Sequence, residues 1–268
     1  MAGMSRRSFI GLSGGTLAGA SLAACGAKAS APQPAVVTSN EEEVPEAEPE
    51  QAAESYGPSK DDASGFVLLT DAVPDAMLDI RYYSTFNFVG ERVDGYEQPV
   101  ALVTREAAEA LHVASDIVMD QGYRLKIYDA YRPQMAVDHF IRWGQDLSDT
   151  RTKQYFYPDL DKSQVFPLGY VAERSGHSRG STIDLTLFDM TAGRDLDMGG
   201  TFDLFSEVSH PDYENISQSQ YANRMILRGA MREAGFEPLP LEWWHFVLAN
   251  EPYPNTYFTF PSSVDALS

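Results

Sequence analysis

The chain has 268 residues, 43% of them hydrophobic, with 14 Tyr, 14 Phe and 3 Trp, which is enough apolar material for one full-sized core. Its single cysteine, Cys25, excludes an internal disulfide and every structural zinc site built on paired cysteines. Against 39 Asp and Glu stand 20 Lys and Arg, a formal charge of -19 that has the wrong sign for gripping nucleic-acid phosphates or an anionic bilayer through a basic face.

Residues 5–11 read SRRSFIG, and the Gly- and Ala-rich apolar stretch that follows ends LAAC at Cys25. The sixteen residues 9–24 contain four glycines and fall short of the roughly 20 needed for a good transmembrane helix. The pattern resembles a twin-arginine export signal closed by a lipobox. That resemblance implies cleavage before Cys25, acylation of its thiol, and a mature protein held at the membrane, outside the cytoplasm, by several acyl chains. Residues 26–65 are mostly Ala, Pro, Ser and Glu, with EEEVPEAEPEQAAE at their centre. Such a segment cannot bury enough surface to offset its ordering entropy and is predicted to be a disordered acidic linker.

Residues 66–268 contain no second linker and no internal repeat, which predicts one domain. Residues 104–122 carry a helix signature: Thr104 as N-cap, Glu106 in the first turn, Leu111, Ala114 and Val118 at helical spacing, and Gly122 as stop. Residues 123–128 alternate Leu125 and Ile127 with polar neighbours, as in a half-buried strand. Pro133 opens a second helix with Val137, Phe140 and Ile141 on one face, and a third runs near 220–234. Between them STIDLTL puts Ile183, Leu185 and Leu187 on one side of a strand and Thr182, Asp184 and Thr186 on the other. The segment LEWWHFVL reads as a last strand by its aromatic and β-branched content. This uneven order of helices and strands predicts an α+β domain, with a central, mainly antiparallel sheet flanked by helices.

Of the five histidines, His112 and His139 fall within predicted helices with no carboxylate spacing that suggests a joint site, and His210 lies in a loop, where a supporting or a surface role fits equally. His177 precedes Asp184 by seven residues, so in a straight strand the two would point to opposite faces; they converge only if the chain bends, as Gly180 permits. His245 follows Glu242 by three, and the same parity requires a bulge or a strand start between them. Two imidazoles and one carboxylate give zinc three protein ligands and leave a fourth position for water, as in a catalytic site. Glu242, not a ligand, is then placed to move a proton, and Arg132 in YDAYRP is the best cation for an oxyanion, with Asp129 holding its guanidinium. Taken alone, Asp129 and Arg132 read as a surface ion pair at a strand-to-helix junction.

The motifs SGHSRGSTIDLTL, EWWHFVL, YDAYRPQMAV and RYYSTFNFVGERVDGYE, each in its expected place along the chain, together resemble those of the VanX-type D-alanyl-D-alanine dipeptidases, zinc peptidases of the M15 class. The similarity runs over residues 66–261. It implies zinc on His177, Asp184 and His245, Glu242 as catalytic base, and Arg132 as stabiliser of the tetrahedral intermediate. It further implies that Tyr82, Ser175 and Asp203 surround a bound dipeptide, with Asp203 facing its ammonium. By spacing alone Asp203 is a loop or N-cap residue. Thr182 stands where the family has a small Ala, on the predicted site-facing side. The export signal also departs from an enzyme that intercepts wall precursors in the cytoplasm; it points to turnover or scavenging of wall-derived dipeptides. Two alternatives stay open: a zinc D,D-carboxypeptidase trimming longer wall peptides, and a lipid-anchored wall-peptide binding protein without catalysis.

Overall fold

A computed structural model describes residues 59–268. Its elements are β1 (Ser59–Lys60), β2 (Phe66–Leu68), α1 (Leu69–Ala72), β3 (Met77–Leu78), β4 (Leu102–Thr104), α2 (Arg105–Met119), β5 (Tyr123–Asp129), α3 (Gln134–Gln145), α4 (Lys153–Phe156), β6 (Thr182–Asp189), β7 (Arg194–Asp195), α5 (Gln218–Glu233), β8 (Phe236–Pro238), β9 (His245–Leu248) and β10 (Tyr257–Phe258). The export signal, Cys25 and residues 26–58 of the expected linker lie outside the described residues. The expected linker boundary at 65 comes too late. β1 already pairs in parallel with β10, and Ala63 is buried beside Phe66, Tyr131 and Phe258.

The main sheet has the order β3-β5-β6-β9-β8, with β7 pairing the far end of β6. Only β3 and β5 run parallel in it; the other pairings are antiparallel, as the sequence predicts. β6 is the middle strand, and every residue from 182 to 187 is buried. Ile183, Leu185 and Leu187 join the core formed with Leu111 and Val118 of α2 and Leu227 and Met231 of α5. The opposite face, Thr182, Asp184 and Thr186, is buried although polar, so its groups must be satisfied by protein, water or a ligand.

Local chemistry sets the helix ends. Thr104 Oγ1 accepts from Ala107 N at 3.3 Å, capping α2, and shares a 2.7 Å bond with Ser181 Oγ that ties the cap to the start of β6. Gly122, at φ 88°, closes the turn into β5 in a conformation that favours glycine. Pro133 is the N-cap of α3 rather than its first residue, and the buried face is Ala136, Val137, Phe140 and Trp143, with Ile141 only half-buried. The third helix, α5, begins at Gln218 behind a capping box of Ser217 and Gln220.

The last expected strand is shorter than its composition suggests. Only His245–Leu248 is extended; Glu242, Trp243 and Trp244 form a turn. Pro240 has no N–H for a ladder, Trp243 N donates to Ser209 O at 2.9 Å, and His245 N turns back to Glu242 O at 3.3 Å. The parity argument at Glu242 and His245 is thereby met by a strand start.

Arg224, in the middle of α5 and 2% exposed, holds the long connection from β7 to α5. Its Nε donates to Met198 O at 2.7 Å, Nη1 to His210 O at 2.8 Å and Nη2 to Val208 O at 2.7 Å. The three bonds brace both ends of the loop that carries Asp203. Replacing Arg224 by Met leaves three carbonyls without their donor and is expected to lower unfolding free energy by about 2–4 kcal/mol in a urea titration; a loss under about 1 kcal/mol contradicts this role.

Candidate metal centre

Strand register places the first ligands. Asp184 sits opposite Asp129 on β5 and opposite His245 on β9, so three titratable residues stand in one row across the sheet. A register shift between Ile127 and Asp129 re-aims Asp129 at the end of its strand. His177 arrives from a 3-10 turn, Gly176–Arg179, whose N-cap Ser175 accepts from His177 N at 3.2 Å. Gly180 ends that turn at φ 82°, and a Cβ there would run into the Phe66 ring. The predicted bend between His177 and Asp184 is thus made by a left-handed glycine that no other residue could replace without strain.

The result is a cluster of His177, Asp184 and His245 with one ligand atom each inside 4.8 Å of the others. His177 Nε2 lies 3.3 Å from His245 Nδ1 and 3.3 Å from Asp184 Oδ2, and His245 Nδ1 lies 3.1 Å from Asp184 Oδ1. Atoms about 2.0–2.1 Å from a tetrahedral ion stand roughly 3.3 Å apart, so these spacings fit one small divalent cation. Asp184 Oδ1 is buried and, despite its nearness to His245, has no hydrogen bond of acceptable geometry. A cation between the rings would satisfy it. Nδ1 of His177 is 2.7 Å from Ala130 O, which fixes the tautomer with Nε2 as the free lone pair. At His245, burial opposes the charged form, but the adjacent Asp184 and Glu242 carboxylates outweigh it and push the pKa up to about 9. Loading a cation therefore displaces a proton.

Asp129 and Arg132 are not a surface pair. Asp129 is fully buried, and its carboxylate accepts from Tyr96 Oη at 2.6 Å and from Arg132 Nε at 3.0 Å and Nη2 at 2.9 Å. Burial raises the Asp129 pKa, and the Arg132 charge is the chief opposing influence. The Arg132 guanidinium packs over two adjoining rings, Tyr82 at 4.9 Å and Phe140 at 5.1 Å. Its Nη1 reaches Ser175 Oγ at 3.3 Å, and Nη2 is 3.7 Å from Asp184 Oδ2.

Tyr82 donates to both oxygens of Asp203, at 3.0 and 3.2 Å. Burial, then the nearby Asp184 and Glu242 carboxylates, raise the Asp203 pKa well above the ordinary range. Asp203 is the one non-glycine residue with positive φ among the described residues, at 59°. Outside glycine that conformation is uncommon, though aspartate enters it more readily than most residues. Tyr82 rides on an irregular segment knotted by Asn87, which is fully buried. Its Nδ2 donates to the carbonyls of Arg81, Ser84 and Glu91, and its Oδ1 accepts from Val89 N and Gly90 N.

These residues line one cavity of about 340 Å³, which brings together Tyr82, Arg132, Ser175, Asp203 and Glu242 around the cluster. Glu242 Oε2 is 3.4 Å from His245 Nδ1. Thr182 does not line the cavity. It is fully buried behind Gly176, with its hydroxyl 3.1 Å from where a Gly176 Cβ would stand. The expected effect of Thr182 on substrate fit therefore has no direct contact behind it. His112 and His139 face Asp116 and the Glu91–Asp94 pair, away from the cluster.

Sequence reasoning passed over several residues of the site. Tyr96 and the Ala130 carbonyl hold Asp129 and His177, and nothing in local spacing announces either. Arg179 lines the cavity and is held by both oxygens of Glu251 at 2.9 Å; its place inside SGHSRG was the available signal.

The peptidase M15 family, described as D-ala-D-ala dipeptidase, matches residues 62–263. A D-alanyl-D-alanine dipeptidase of Enterococcus faecium is 44% identical over 197 residues, covering 74% of this chain and 98% of that protein. One of Streptomyces coelicolor is 43% identical over 73% of this chain and 97% of its own length. One of Escherichia coli is 35% identical over 70% and 86% respectively. The chain belongs to the peptidase M15 family of D-ala-D-ala dipeptidases.

Proposed function

We propose that this chain hydrolyses D-alanyl-D-alanine with one zinc ion held by His177, Asp184 and His245, and that it does so outside the cytoplasm. The observation that carries the chemistry is the three-atom cluster with tetrahedral spacings and a buried Asp184 oxygen that lacks a hydrogen bond, opening onto a cavity that also holds the Glu242 carboxylate and a fixed cation. Zinc at such a site supplies a Lewis acid that acidifies water and polarises a carbonyl.

The protein's own residues do the rest. Glu242 takes the proton of the attacking water and delivers it to the departing amine, since it borders the cluster without being needed as a ligand. Arg132 meets the negative charge that develops on the carbonyl oxygen. Its position is set in advance by Asp129 and two aromatic rings, so little reorganisation is needed during the reaction. Tyr82 and Asp203 receive the substrate's ammonium; a buried carboxyl left without that cation is costly, which selects for a free amino terminus. Ser175, bonded to Arg132 and one residue from the 3-10 turn, orients the same region.

The extracytoplasmic part of the proposal is supported by residues 5–25 alone: the paired arginines, the apolar stretch and Cys25 at its end. In that location the enzyme would act in turnover or scavenging of wall-derived dipeptides.

Replacing Glu242 by Ala is expected to leave zinc content at one per chain and cut turnover of D-Ala-D-Ala by about 10²–10⁴. Run against an acylated tripeptide ending in D-Ala-D-Ala, the wild-type chain should favour the free dipeptide. Preference for the acylated tripeptide would instead establish the D,D-carboxypeptidase, and zinc-loaded protein that binds a dipeptide without cleaving it would establish the binding protein. For location, Cys25→Ser should shift the protein from the membrane fraction to the soluble fraction of exporting cells, and an unchanged distribution would reject the lipid anchor.

A further inference from the structure

A second cavity, of about 480 Å³, lies directly against the first. Three stretches of chain put neighbouring residues into the two spaces: Tyr82 and Arg81, Asp203 and Phe202, Glu242 and Trp243, the first of each pair facing the metal cluster. On β6 the same division falls between Asp184 and Thr186, two residues apart on one face of the strand. Phe202 is the ring at the partition. It is 2% exposed, with its centroid 6.1 Å from Tyr82 on the cluster side and 4.8 Å from Tyr128 on the far side.

We propose that Phe202 is the length-determining wall of the site, sealing the substrate's amino end from a preformed space large enough for one more residue. The inference rests on the reading above in which the ammonium sits at Asp203. Given that orientation, an amino-terminal extension of the substrate must travel past Asp203, and Phe202, next to it in the chain and packed against Tyr82, stands on the lining of the second cavity. The wall is rigid, because Asp203 beside it is held in a left-handed conformation and Arg224 ties down the loop on either side at Met198 and Val208.

What lies beyond the wall suits a peptide. The second cavity falls within the roughly 300–1,000 Å³ that takes small ligands. Nη1 of Arg81 and Nε1 of Trp243, both on its lining, are buried without a hydrogen-bond partner and can serve a peptide carbonyl. Asp195, which holds Lys126 Nζ at 2.8 Å, and Asp197, which accepts from Gln220 Nε2 at 2.9 Å, stand on the same lining and make it acidic toward a displaced ammonium.

The test compares the full, zinc-loaded wild-type chain with Phe202→Leu and Phe202→Ala on D-Ala-D-Ala and on Gly-D-Ala-D-Ala, a tripeptide with a free amine. The wild type should favour the dipeptide. The ratio of kcat/KM for tripeptide over dipeptide should rise at least about tenfold in Phe202→Ala and by less in Phe202→Leu, the milder change that guards against a folding defect. An unmoved ratio in either variant that still binds zinc and cleaves the dipeptide overturns the wall. Loss of dipeptide cleavage in both variants overturns it too, since Phe202 would then act by placing Asp203. A wild-type chain inert toward D-Ala-D-Ala removes the substrate reading beneath the proposal, whereas an active wild type with an unmoved ratio contradicts the wall alone.

Discussion

The pairing of β6 with β5 on one side and β9 on the other is the constraint on which the site depends. It sets Asp129, Asp184 and His245 in one row, at the middle of the sheet, on the only face of β6 that is buried without being apolar. A slip of one residue would turn Asp184 into the hydrophobic core and bring Leu185 or Ile183 to the cavity. The apolar side of β6, packed against α2 and α5, therefore fixes the site's geometry as firmly as the hydrogen bonds around it do. Burial of three apolar side chains on one face, each worth about 1.5–3 kcal/mol, opposes the cost of keeping a carboxylate on the other.

The polar groups around that row form a connected set. Tyr96 and Arg132 satisfy Asp129, Ala130 O holds the His177 ring, Arg132 leans on Ser175, and Tyr82 reaches Asp203. Each member either fixes a ligand or fixes the residue that would meet substrate. Buried polar atoms without a hydrogen bond include Asp184 Oδ1 beside the first cavity and the Arg81 and Trp243 donors beside the second, along with the Thr182 and Thr186 hydroxyls on the same face of β6. Unsatisfied buried groups in an otherwise well-paired region are where function is expected.

How much of this is legible in the chain depends on the range of the interactions. The α2 helix can be read to the residue at its start, because Thr104 caps it through a bond three positions away. The alternation in β6 is equally local, and the parity of His177 and Asp184 is enough to demand a bend that Gly180 makes. The LEWWHFVL segment misleads because its aromatic content favours a strand, whereas a bond from Trp243 N to Ser209 O, set by tertiary packing, holds half of it in a turn. Asp129 and Arg132 look like a surface pair since nothing within a few residues shows that Tyr82, Tyr96 and Phe140 will close over them. Asp203 lies 121 residues from its partner Tyr82, and only likeness to a family of known architecture points to it.

The account stands or falls on one ion among His177, Asp184 and His245 with an open position beside Glu242. Anomalous diffraction at the zinc edge from crystals of the zinc-loaded protein measures this most directly. The expected result is a single strong peak within about 2.0–2.2 Å of His177 Nε2, His245 Nδ1 and an Asp184 oxygen, with no fourth protein atom in bonding range. A peak elsewhere, or one whose fourth position is filled by the Glu242 carboxylate, would contradict the hydrolytic site described above.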